Sequence, residues 1–487
     1  MKPTPFILAA TAAHAQIKTA SIMEELMALK EAEWDTFAQQ GLFGGSALYP
    51  KISNRIPCIN GKAVLSTKGN NTYSCRNVDL HAFLSHEDLG SQAKAGNDVW
   101  GWTSPAGREF GIVGQRDGVA FVEVDTKTGA LTYLGRLDTH TDATNWRDIK
   151  VIGHHAYIGA ESHDHGLQIF DLRKLEAIRP QAKSFWWDFL GLFTPKPQFT
   201  PKVFNKTTDI TAHFAGFGAS HNIVAHPERN MIYAVGGRSG ANARDTPCKG
   251  GMFMVDVSDP TNPTSPGCVP QDGYVHDAQC VVYRGPDVRY QGREICFNFN
   301  EDSLTIMDLT DKSNPVVVSR TGYNGVAYSH QGWLVDEGME WLLLDDELDE
   351  RSGTVPFGDG RTTTYIWNVT NLENPINTGF YKSPARSIDH NQYVHKGLTY
   401  QANYASGLRI VDVSGVEIDP TGGNFEEVGF FDCYPEDDET EGSLAFIGTW
   451  SVYPYFKSGY ILLNSIERGI FSLKYTGRKA RWYSGKD

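Results

Sequence analysis

A short strand that opens with a polar pair or triplet, nearly always containing histidine, recurs five times along the chain. Roughly 20–35 residues after each one comes a tract that reads approximately glycine, apolar, any residue, apolar, apolar, aspartate. The strand starts are WRDIKV, SHNIVA, VHDAQCVVY, SHQGWLV and DHNQYV, and the tracts are GLQIFDL, GMFMVDV, SLTIMDL, TYIWNV and GLRIVDV. Such recurrence is the signature of a repeat architecture, which arranges equivalent residues about one axis. The repeat therefore constrains both the fold and the place where chemistry can occur.

Each repeat unit contains short strands separated by turns, with no helix between them. The units begin in turn at Asp98, Trp146, Ser220, Val275, Ser329, Asp389 and Gly448. Six complete four-stranded units and a seventh that lacks its last strand predict an all-β fold, a single seven-bladed β-propeller. The alternating segment from Asn77 to Ser85 can supply the missing strand, and this closure would hide sheet edges that otherwise pair with other molecules.

The segments outside the repeats predict the domain organisation. Residues 1–15 resemble a secretory signal that ends in the small-x-small site Ala13-His14-Ala15. Residues 16–75 form a leader, with a helix over 18–40 that we expect to pack on the side of the repeats. The propeller spans 76–479, and 480–487 form a tail. A long insertion at about 173–214 contains FWWDFLGLFTPKP and is expected to be a lid or a side-packed loop.

Charge and cysteine content narrow the function classes. A net charge of −14 over 487 residues argues against nucleic acid and anionic membranes as partners. No apolar run approaches the ~20 residues that span a bilayer, so we expect no membrane insertion. Three glycosylation sequons begin at Asn70, Asn205 and Asn368. The cysteine pairs Cys58/Cys75, Cys248/Cys268 and Cys280/Cys296 suit disulfides and leave Cys433 over, which together predict a secreted protein.

Long strings in the chain resemble a known family of secreted or surface-attached proteins of bacteria and fungi. GLRIVDV, GMFMVDVSDP and SLTIMDL look like the LVIVD repeat. DVWGWTSPAGREFGIVG, GYVHDAQCVVYRGPD and GTWSVYPYFKSGYILLNSIERGIFSLKY resemble the choice-of-anchor B family, over roughly residues 76–475. The resemblance implies a propeller and an extracellular address, and it implies no particular reaction. Members named for their anchors carry a C-terminal attachment signal; this chain ends in KARWYSGKD, so a freely secreted form is expected.

Histidine occurs at the start of the first strand in four consecutive units. In a propeller the first strand of each blade lines the central channel, so these residues should point toward the axis. They are His221, His276, His330 and His390. Neutral imidazoles that converge on one point make a divalent metal site, suited to Fe(II), Cu(II), Mn(II) or Zn(II), with an open side toward blades seven, one and two.

Polar residues near these histidines are candidates for orienting the rings or accepting protons. Those adjacent along the chain or at the same position of blade two are Asp148, Asn222, Asp277, Gln331, Asp389 and Asn391. Those at the end of the second strand of a unit are Glu161, Glu301, Glu347 and Glu467. Two other interpretations stay open: a structural hydrogen-bond network that repeats in each blade, and direct binding of a ligand without metal. The histidine is absent from blades one, two and seven, which speaks against a purely structural device.

Three further groups are weaker candidates. His163 and His165 lie two apart in a loop and can chelate a metal at a surface, although a solvated turn is the better explanation. The stretch from Asp345 to Glu350 is dense in carboxylates and suits either Ca(II) or a solvated acidic loop. Tryptophans near strand starts can stack on a sugar or form plain core: Trp100, Trp102, Trp333 and Trp450.

The preferred interpretation is a secreted propeller with a histidine-rich metal site at the channel. If the protein is an enzyme, oxidoreductase chemistry on a small extracellular molecule fits such a site better than hydrolysis does. The alternative is a non-catalytic extracellular module for binding or adhesion, with a glycan or protein as its partner. The two hypotheses differ in whether the protein holds a stoichiometric metal.

Overall fold

The computed structural model describes residues 22–65, 72–180, 199–237, 247–354 and 358–483. The predicted signal segment, the sequon asparagine at position 70, the aromatic part of the insertion and residues 484–487 lie outside these ranges. Within them, the strands form seven sheets, each built on four antiparallel strands, and the inner strands contact one another around a closed ring. The predicted all-β seven-bladed propeller is confirmed.

Each blade runs from an inner strand at the channel to an outer strand at the rim. Blade 1 contains β4 (Gly96–Thr103), β5 (Glu109–Gln115), β6 (Gly118–Val124) and β7 (Leu131–Asp138). Blade 2 contains β8 (Arg147–Ile152), β9 (His155–Ala160), β10 (Leu167–Asp171) and β12 (Ala212–Phe214). Blade 3 contains β13 (Asn222–His226), β14 (Met231–Val235), β15 (Met252–Asp256) and β16 (Thr264–Val269).

The second half of the ring follows the same order. Blade 4 contains β17 (Asp277–Val282), β18 (Glu294–Phe299), β19 (Leu304–Asp308) and β20 (Val316–Thr321). Blade 5 contains β21 (Ser329–Leu334), β22 (Trp341–Asp346), β23 (Arg361–Asn368) and β24 (Ile376–Arg386). Blade 6 contains β25 (Asn391–His395), β26 (Leu398–Ala402), β27 (Leu408–Asp412) and β28 (Glu426–Phe431).

Blade 7 joins the two ends of the ring. It contains β29 (Thr449–Tyr453), β30 (Tyr460–Ser465) and β31 (Gly469–Tyr475), and its outer strand is β3 (Val78–Ser85). The pairing of β3 with β31 runs from Val78 opposite Tyr475 to Ser85 opposite Gly469. The segment predicted to close the ring therefore does so, because an unpaired edge on β31 would leave a row of backbone groups unsatisfied.

Three short strands and a few helices complete the fold. β1 (Lys62–Val64) and β2 (Thr72–Arg76) extend blade 6, and β11 (Lys202–Phe204) runs parallel to β7 on blade 1. Within the described ranges, the α-helices are α1 (Ile22–Gln39), α2 (Arg173–Glu176) and α3 (Asp349–Ser352), and single 3₁₀ turns lie at Gly45–Ala47, Pro227–Arg229 and Pro435–Asp437. No helix in the described part of the chain is both long and apolar enough to cross a membrane.

The aspartate or asparagine that ends each repeated tract caps the turn that follows it. In every case the side-chain oxygen accepts a hydrogen bond from the backbone N–H two residues later, at 2.9–3.2 Å. The five capping residues are Asp171, Asp256, Asp308, Asn368 and Asp412. This local device favours a turn over continued strand, which explains why the residue recurs with the apolar strand before it.

Disulfides form between the three cysteine pairs predicted from the sequence. They join Cys58 to Cys75, Cys248 to Cys268 and Cys280 to Cys296. Cys433 is buried and takes part in no disulfide.

Candidate metal centre

The four predicted histidines form a continuous arc at one end of the channel. Their ring centroids are 4.5 Å apart between His221 and His276, 4.2 Å between His276 and His330, and 4.4 Å between His330 and His390. All four side chains are buried. The arc follows from the repeat, because each histidine starts the inner strand of one blade and consecutive blades are neighbours.

Each histidine uses its Nδ1 atom in a contact that fixes the ring. His276 lies 2.7 Å from the carbonyl oxygen of His330, and His390 lies 2.6 Å from that of Trp450. Since a carbonyl only accepts, Nδ1 carries the proton in both rings and Nε2 presents a lone pair. His221 and His330 contact carboxylates instead, Glu161 at 2.6 Å and Asp345 at 3.0 Å. Histidines that ligate metals are oriented in this way.

Glu347 faces the Nε2 atoms of two of these rings. Its carboxylate oxygens lie 3.8 Å from Nε2 of His330 and 3.7 Å from Nε2 of His390. One ligand atom from each of the three residues lies within 4.8 Å of the others, and all three residues are buried. Two imidazoles and one carboxylate at these distances can converge on a single ion.

Helix α1 covers this end of the channel. Met23, Leu26, Lys30 and Trp34 form its buried face. The backbone N–H of Met23 donates to Glu301 at 3.0 Å, and Nε1 of Trp34 donates to the carbonyl of Phe446 at 2.7 Å. The prediction that the helix packs on the side of the repeats is therefore wrong: it lies on the channel mouth, because its apolar face matches the apolar residues that ring that mouth.

Lys30 reaches from α1 into the group of ligand atoms. Its Nζ lies 2.5 Å from Oε1 of Glu347, and the hydroxyl of Tyr404 donates to the same oxygen at 2.5 Å. Three aromatic rings surround the ammonium at 5.2–5.8 Å. The positive charge is thus held by one carboxylate and by the faces of aromatic rings, in an interior that excludes water.

Tryptophans complete the ring of side chains where histidine is absent. Trp146 of blade 2 and Trp450 of blade 7 lie at the two ends of the histidine arc, and Trp34 of α1 bridges them at 5.4 and 6.1 Å. The side of the site predicted to be open toward blades seven, one and two is therefore covered by indoles and by the helix.

Burial keeps three of the imidazoles neutral. It lowers the pKa of His276, His330 and His390 well below the usual value, and the nearby charge of Lys30 acts in the same direction. Burial also lowers the pKa of Lys30, against the opposing effect of Glu347. Neutral imidazole is the form that ligates metals.

Most of the polar residues predicted to orient the histidine rings form hydrogen bonds with backbone groups instead. Asn222 donates to the carbonyl of His276, and Gln331 accepts from the backbone of Gln392. Asp389 accepts from the backbone of Thr363. These residues neighbour a histidine along a strand, and successive side chains on a strand point to opposite faces. For the same reason, the side chain of Asn391 contacts none of the four histidine rings among the described residues.

Three of the four predicted glutamates contact either the histidine arc or helix α1, and the fourth does not. Glu161 and Glu347 contact the histidine arc, as above, and Glu301 holds the start of α1. Glu467 instead pairs with Arg468 at 2.9 Å and accepts from the backbone of Gly448. Burial raises the pKa of Glu467. The carboxylate of Glu467 is engaged by Arg468 and contacts none of the four histidines of the arc among the described residues.

Asp148 and Asp277 lie on inner strands but belong to a separate polar cluster. Lys150 contacts Asp148 at 2.5 Å and Asp98 at 3.7 Å, and Asp148 also accepts from the backbone of Ile223. Burial raises the pKa of Asp277 to about 7, with Lys150 opposing the shift. This cluster is an internal ion pair with two further carboxyls.

The three weaker groups of candidate residues differ in burial and in their contacts. His163 is exposed and pairs with Asp164, while His165 is buried, so the two do not converge. The carboxylates between positions 345 and 350 are buried, which excludes a solvated loop. Trp100 and Trp333 pack on Tyr393 at 5.4 and 5.0 Å, and Trp102 stacks on Phe110 as plain core.

Sequence reasoning missed Lys30 and the orienting role of Asp345. The buried residues of α1 are spaced three and four apart, and Lys30 occupies one of these positions between apolar residues. A charged residue on an otherwise apolar helix face is the signal that could have identified it. Asp345 carries no comparable signal, since it is one of several acids in a row.

Comparison with known proteins gives one match to a family model, the LVIVD repeat, over residues 248–269. No curated protein matches the chain. Among solved structures, the crystal structure of a functionally unknown protein from Desulfotomaculum acetoxidans DSM 771 is similar, with 10% sequence identity and a TM-score of 0.44 over 73% of this chain and 98% of that chain. The repeat match and the ring of seven sheets identify the chain as a β-propeller that contains the LVIVD repeat.

Proposed function

We propose that the protein is a secreted β-propeller that binds a divalent transition metal in its channel and acts as an oxidoreductase on a small extracellular molecule. His330, His390 and Glu347 are the proposed ligands, and His276 is a further donor. The observation that carries the proposal is the convergence of three ligand atoms within 4.8 Å in a fully buried site.

Two buried atoms without hydrogen-bond partners favour a bound cation beside His276 and Glu347. Nε2 of His276 and Oε2 of Glu347 have no hydrogen-bond partner among the described residues. Buried polar atoms left in this state cost about 1–3 kcal/mol each, and native proteins rarely retain them. A metal ion satisfies both kinds of atom at once.

The donor set favours particular metals. Two imidazoles and one carboxylate are typical of non-haem iron(II) centres, and the same set also binds zinc. Copper(II) and manganese(II) suit nitrogen and oxygen donors as well. Iron(II) held in this way supplies oxidation chemistry with dioxygen, which is why we propose oxidation of a small molecule rather than hydrolysis.

Lys30 makes metal binding a competition between two cations. Its ammonium contacts Glu347 at 2.5 Å, where a metal ion would also bind. A divalent cation and an ammonium about 4 Å apart repel by roughly 8 kcal/mol at an effective dielectric of 20. We therefore expect metal uptake to displace Lys30 or to release its proton, which the lowered pKa of Lys30 favours.

A polar cavity beside α1 offers a route for a small molecule. It measures about 360 Å³ and is lined in part by Met27, Trp146 and Glu161. Glu161 contacts His221 directly, so a molecule in the cavity lies next to the histidine arc. Volumes of this size suit small ligands rather than polymers.

An extracellular location is supported by two observations. Disulfides such as the three in this chain persist in oxidising compartments. The strings that resemble the choice-of-anchor B family agree with that location.

Elemental analysis by inductively coupled plasma mass spectrometry, on protein purified without an affinity tag, tests the proposal. We expect about one transition metal per chain, lost in His330→Ala and His390→Ala. His226→Ala is the matched control, because it removes another buried histidine that starts no inner strand and lies outside the arc. Absence of metal from the wild type, even after reconstitution with Fe(II), Cu(II), Mn(II) or Zn(II), would overturn the proposal.

A further inference from the structure

Arg147 is a buried guanidinium between blades 1 and 2. It opens β8 and is 1% exposed. Its Nε donates to the carbonyl of Gln115 at 3.1 Å, whereas Nη1 and Nη2 have no hydrogen-bond partner among the residues that the structure describes. A buried charge without an acceptor is costly, so these N–H groups call for an anionic or polar partner.

The carboxylate that attracts Arg147 is already engaged in other contacts. Asp117 contacts Arg136 at 3.0 Å through Oδ1, which also accepts from Ser91. Its Oδ2 accepts from the backbone N–H groups of Gln92 and Ala93. Asp117 therefore attracts Arg147 at longer range without satisfying its Nη groups.

Three histidines pack together beside blade 2: His140 and His165 lie on loops, and His213 lies on β12. The ring of His140 lies 4.6 Å from that of His165 and 4.0 Å from that of His213. Nε2 of His140 and Nε2 of His213 both contact the carbonyl oxygen of His165, at 2.8 and 2.7 Å. Because a carbonyl only accepts, Nε2 carries the proton in the neutral His140 ring and its Nδ1 is an acceptor. Nε2 of His165 is buried and has no hydrogen-bond partner in the described ranges.

The strand pairing brings this histidine group close to Arg147. Arg147 lies opposite Ala160 in the β8–β9 ladder, and the loop that carries His165 begins directly after Ala160. Burial lowers the pKa of His165 well below its usual value, and the charge of Arg147 is the next largest cause. Burial lowers the pKa of Arg147 to about 10, which leaves it charged at neutral pH.

The surroundings carry an excess of positive charge. Arg136 lies near enough to oppose the charge of Arg147, and it pairs with Asp117 and with Asp138. Lys206 reaches the same region, where its Nζ donates to the carbonyl of Thr139 at 3.2 Å. The acids are thus paired with Arg136, and Arg147 is left with unsatisfied donors.

We infer that Arg147, together with His165, forms a binding site for a small inorganic anion between blades 1 and 2. The two Nη groups of a guanidinium present parallel donors that suit a halide or a planar or tetrahedral oxyanion. The burial of Arg147 and His165 limits the ligand to a few atoms. The site is separate from the proposed metal centre and does not depend on it.

Thermal unfolding in different sodium salts at constant ionic strength tests the inference, with gluconate as the bulky reference anion. We expect chloride and bromide, or phosphate and sulfate, to raise Tm by about 1–3 °C for each ten-fold increase in concentration above Kd. Stabilisation by the first pair alone identifies a halide site, and by the second pair alone an oxyanion site. A Tm that does not depend on anion identity would overturn the inference.

Two variants and one crystallographic measurement complete the test. Arg147→Gln should lose the anion dependence, while Arg116→Gln, an exposed arginine on a neighbouring turn, should keep it. Should Arg147→Gln fail to fold, crystals of the wild type soaked in bromide give an independent answer. An anomalous peak within hydrogen-bond distance of Nη1 or Nη2 of Arg147 is expected, and ordered water alone at that place would contradict the site.

Discussion

Nζ of Lys30 lies 2.5 Å from Oε1 of Glu347, and the two side chains are 1% and 0% exposed. One residue comes from the helix that covers the channel and the other from the end of β22, so the ion pair fastens the helix to the ring. The same carboxylate faces Nε2 of His330 and of His390. Any cation that binds these histidines must therefore compete with Lys30.

Lys30→Met should raise the affinity for a transition metal at least ten-fold, because it removes a positive charge from the group of ligands. In the absence of metal the same variant should lose about 3–5 kcal/mol of unfolding free energy, since Glu347 is left buried without its partner. Titration against a competing chelator measures the first effect, and denaturant unfolding with and without metal measures the second.

Lys150→Met is the control for this experiment, because it breaks another buried ion pair in the channel, with Asp148. It should lose stability without a change in metal affinity. A fall in affinity in Lys30→Met would mean that the amine of Lys30 is itself a ligand.

Phe83→Ala should weaken the closure of the ring. Phe83 is buried on β3, lies 4.6 Å from Phe471 of β31, and exchanges backbone hydrogen bonds of 3.0 Å with Ile52. Loss of such a ring costs roughly 3–5 kcal/mol. Hydrogen exchange of the β31 amides should become faster in this variant.

Phe297→Ala removes an equally buried ring from blade 4 and is the matched control for Phe83→Ala. It should cost similar stability but leave exchange in β31 close to that of the wild type. Equal acceleration of β31 exchange in both variants would show that β3 does not act as a separate clasp.

Replacement of Cys58 and Cys75 by serine should free the segment before the propeller. The disulfide spans 17 residues and joins the loop before β1 to β2, whose last two residues pair with β28. Closing a loop of this length contributes about 3 kcal/mol. We expect that loss in denaturant unfolding, together with faster proteolysis between residues 50 and 76.

The pair Cys280 and Cys296 provides the comparison, because it spans 16 residues and lies directly across β17 and β18. Its double serine variant should lose a similar amount of stability without exposing the N-terminal segment to protease. Unchanged proteolysis in Cys58→Ser/Cys75→Ser would mean that the pairing of β2 with β28 suffices to hold the segment.

The fold and the histidine arc could be predicted because both follow from local, repeated patterns. Short strands, capped turns and a histidine at the start of an inner strand recur along the chain. In a closed ring, residues at equivalent positions of successive repeats lie next to one another. The closing strand was predicted as 77–85 and runs over Val78–Ser85 for the same reason.

The remaining features of the site depend on tertiary contacts that the sequence does not encode locally. The stripe of α1 predicts an apolar face, but not which surface it covers. The ladder between β21 and β22 shifts register around His330, and that between β29 and β30 shifts around Trp450. Such bulges re-aim a side chain, and no residue pattern announced them. Chain neighbours such as Asp277 and Asp389 accept hydrogen bonds from backbone groups, because successive side chains on a strand point to opposite faces.

His86 should make the stability of the folded protein fall at acidic pH. It is fully buried between blades 7 and 1, where Nε2 donates to the carbonyl of Ser465 at 2.7 Å and Nδ1 accepts from Gln115 at 3.3 Å. Gly96 packs so closely that a Cβ there would lie 2.2 Å from Nε2 of His86. Burial lowers the pKa of His86 from 6.5 to about 4, so the folded protein keeps the ring neutral.

As pH falls from about 6.5 to about 4, the unfolded chain takes up a proton at this residue and the folded protein does not. Stability present above pH 6.5 is therefore lost at about 1.4 kcal/mol per pH unit, approaching roughly 3 kcal/mol in total. His86→Gln keeps a donor for Ser465 but cannot titrate, so its unfolding free energy should fall less steeply over this range. Denaturant unfolding of both proteins at pH 7, 6, 5 and 4 measures the difference. Parallel profiles would mean that His86 is protonated equally in the folded and unfolded states, and that the acid sensitivity arises at other buried histidines such as His155 and His226, whose pKa burial also lowers to about 4.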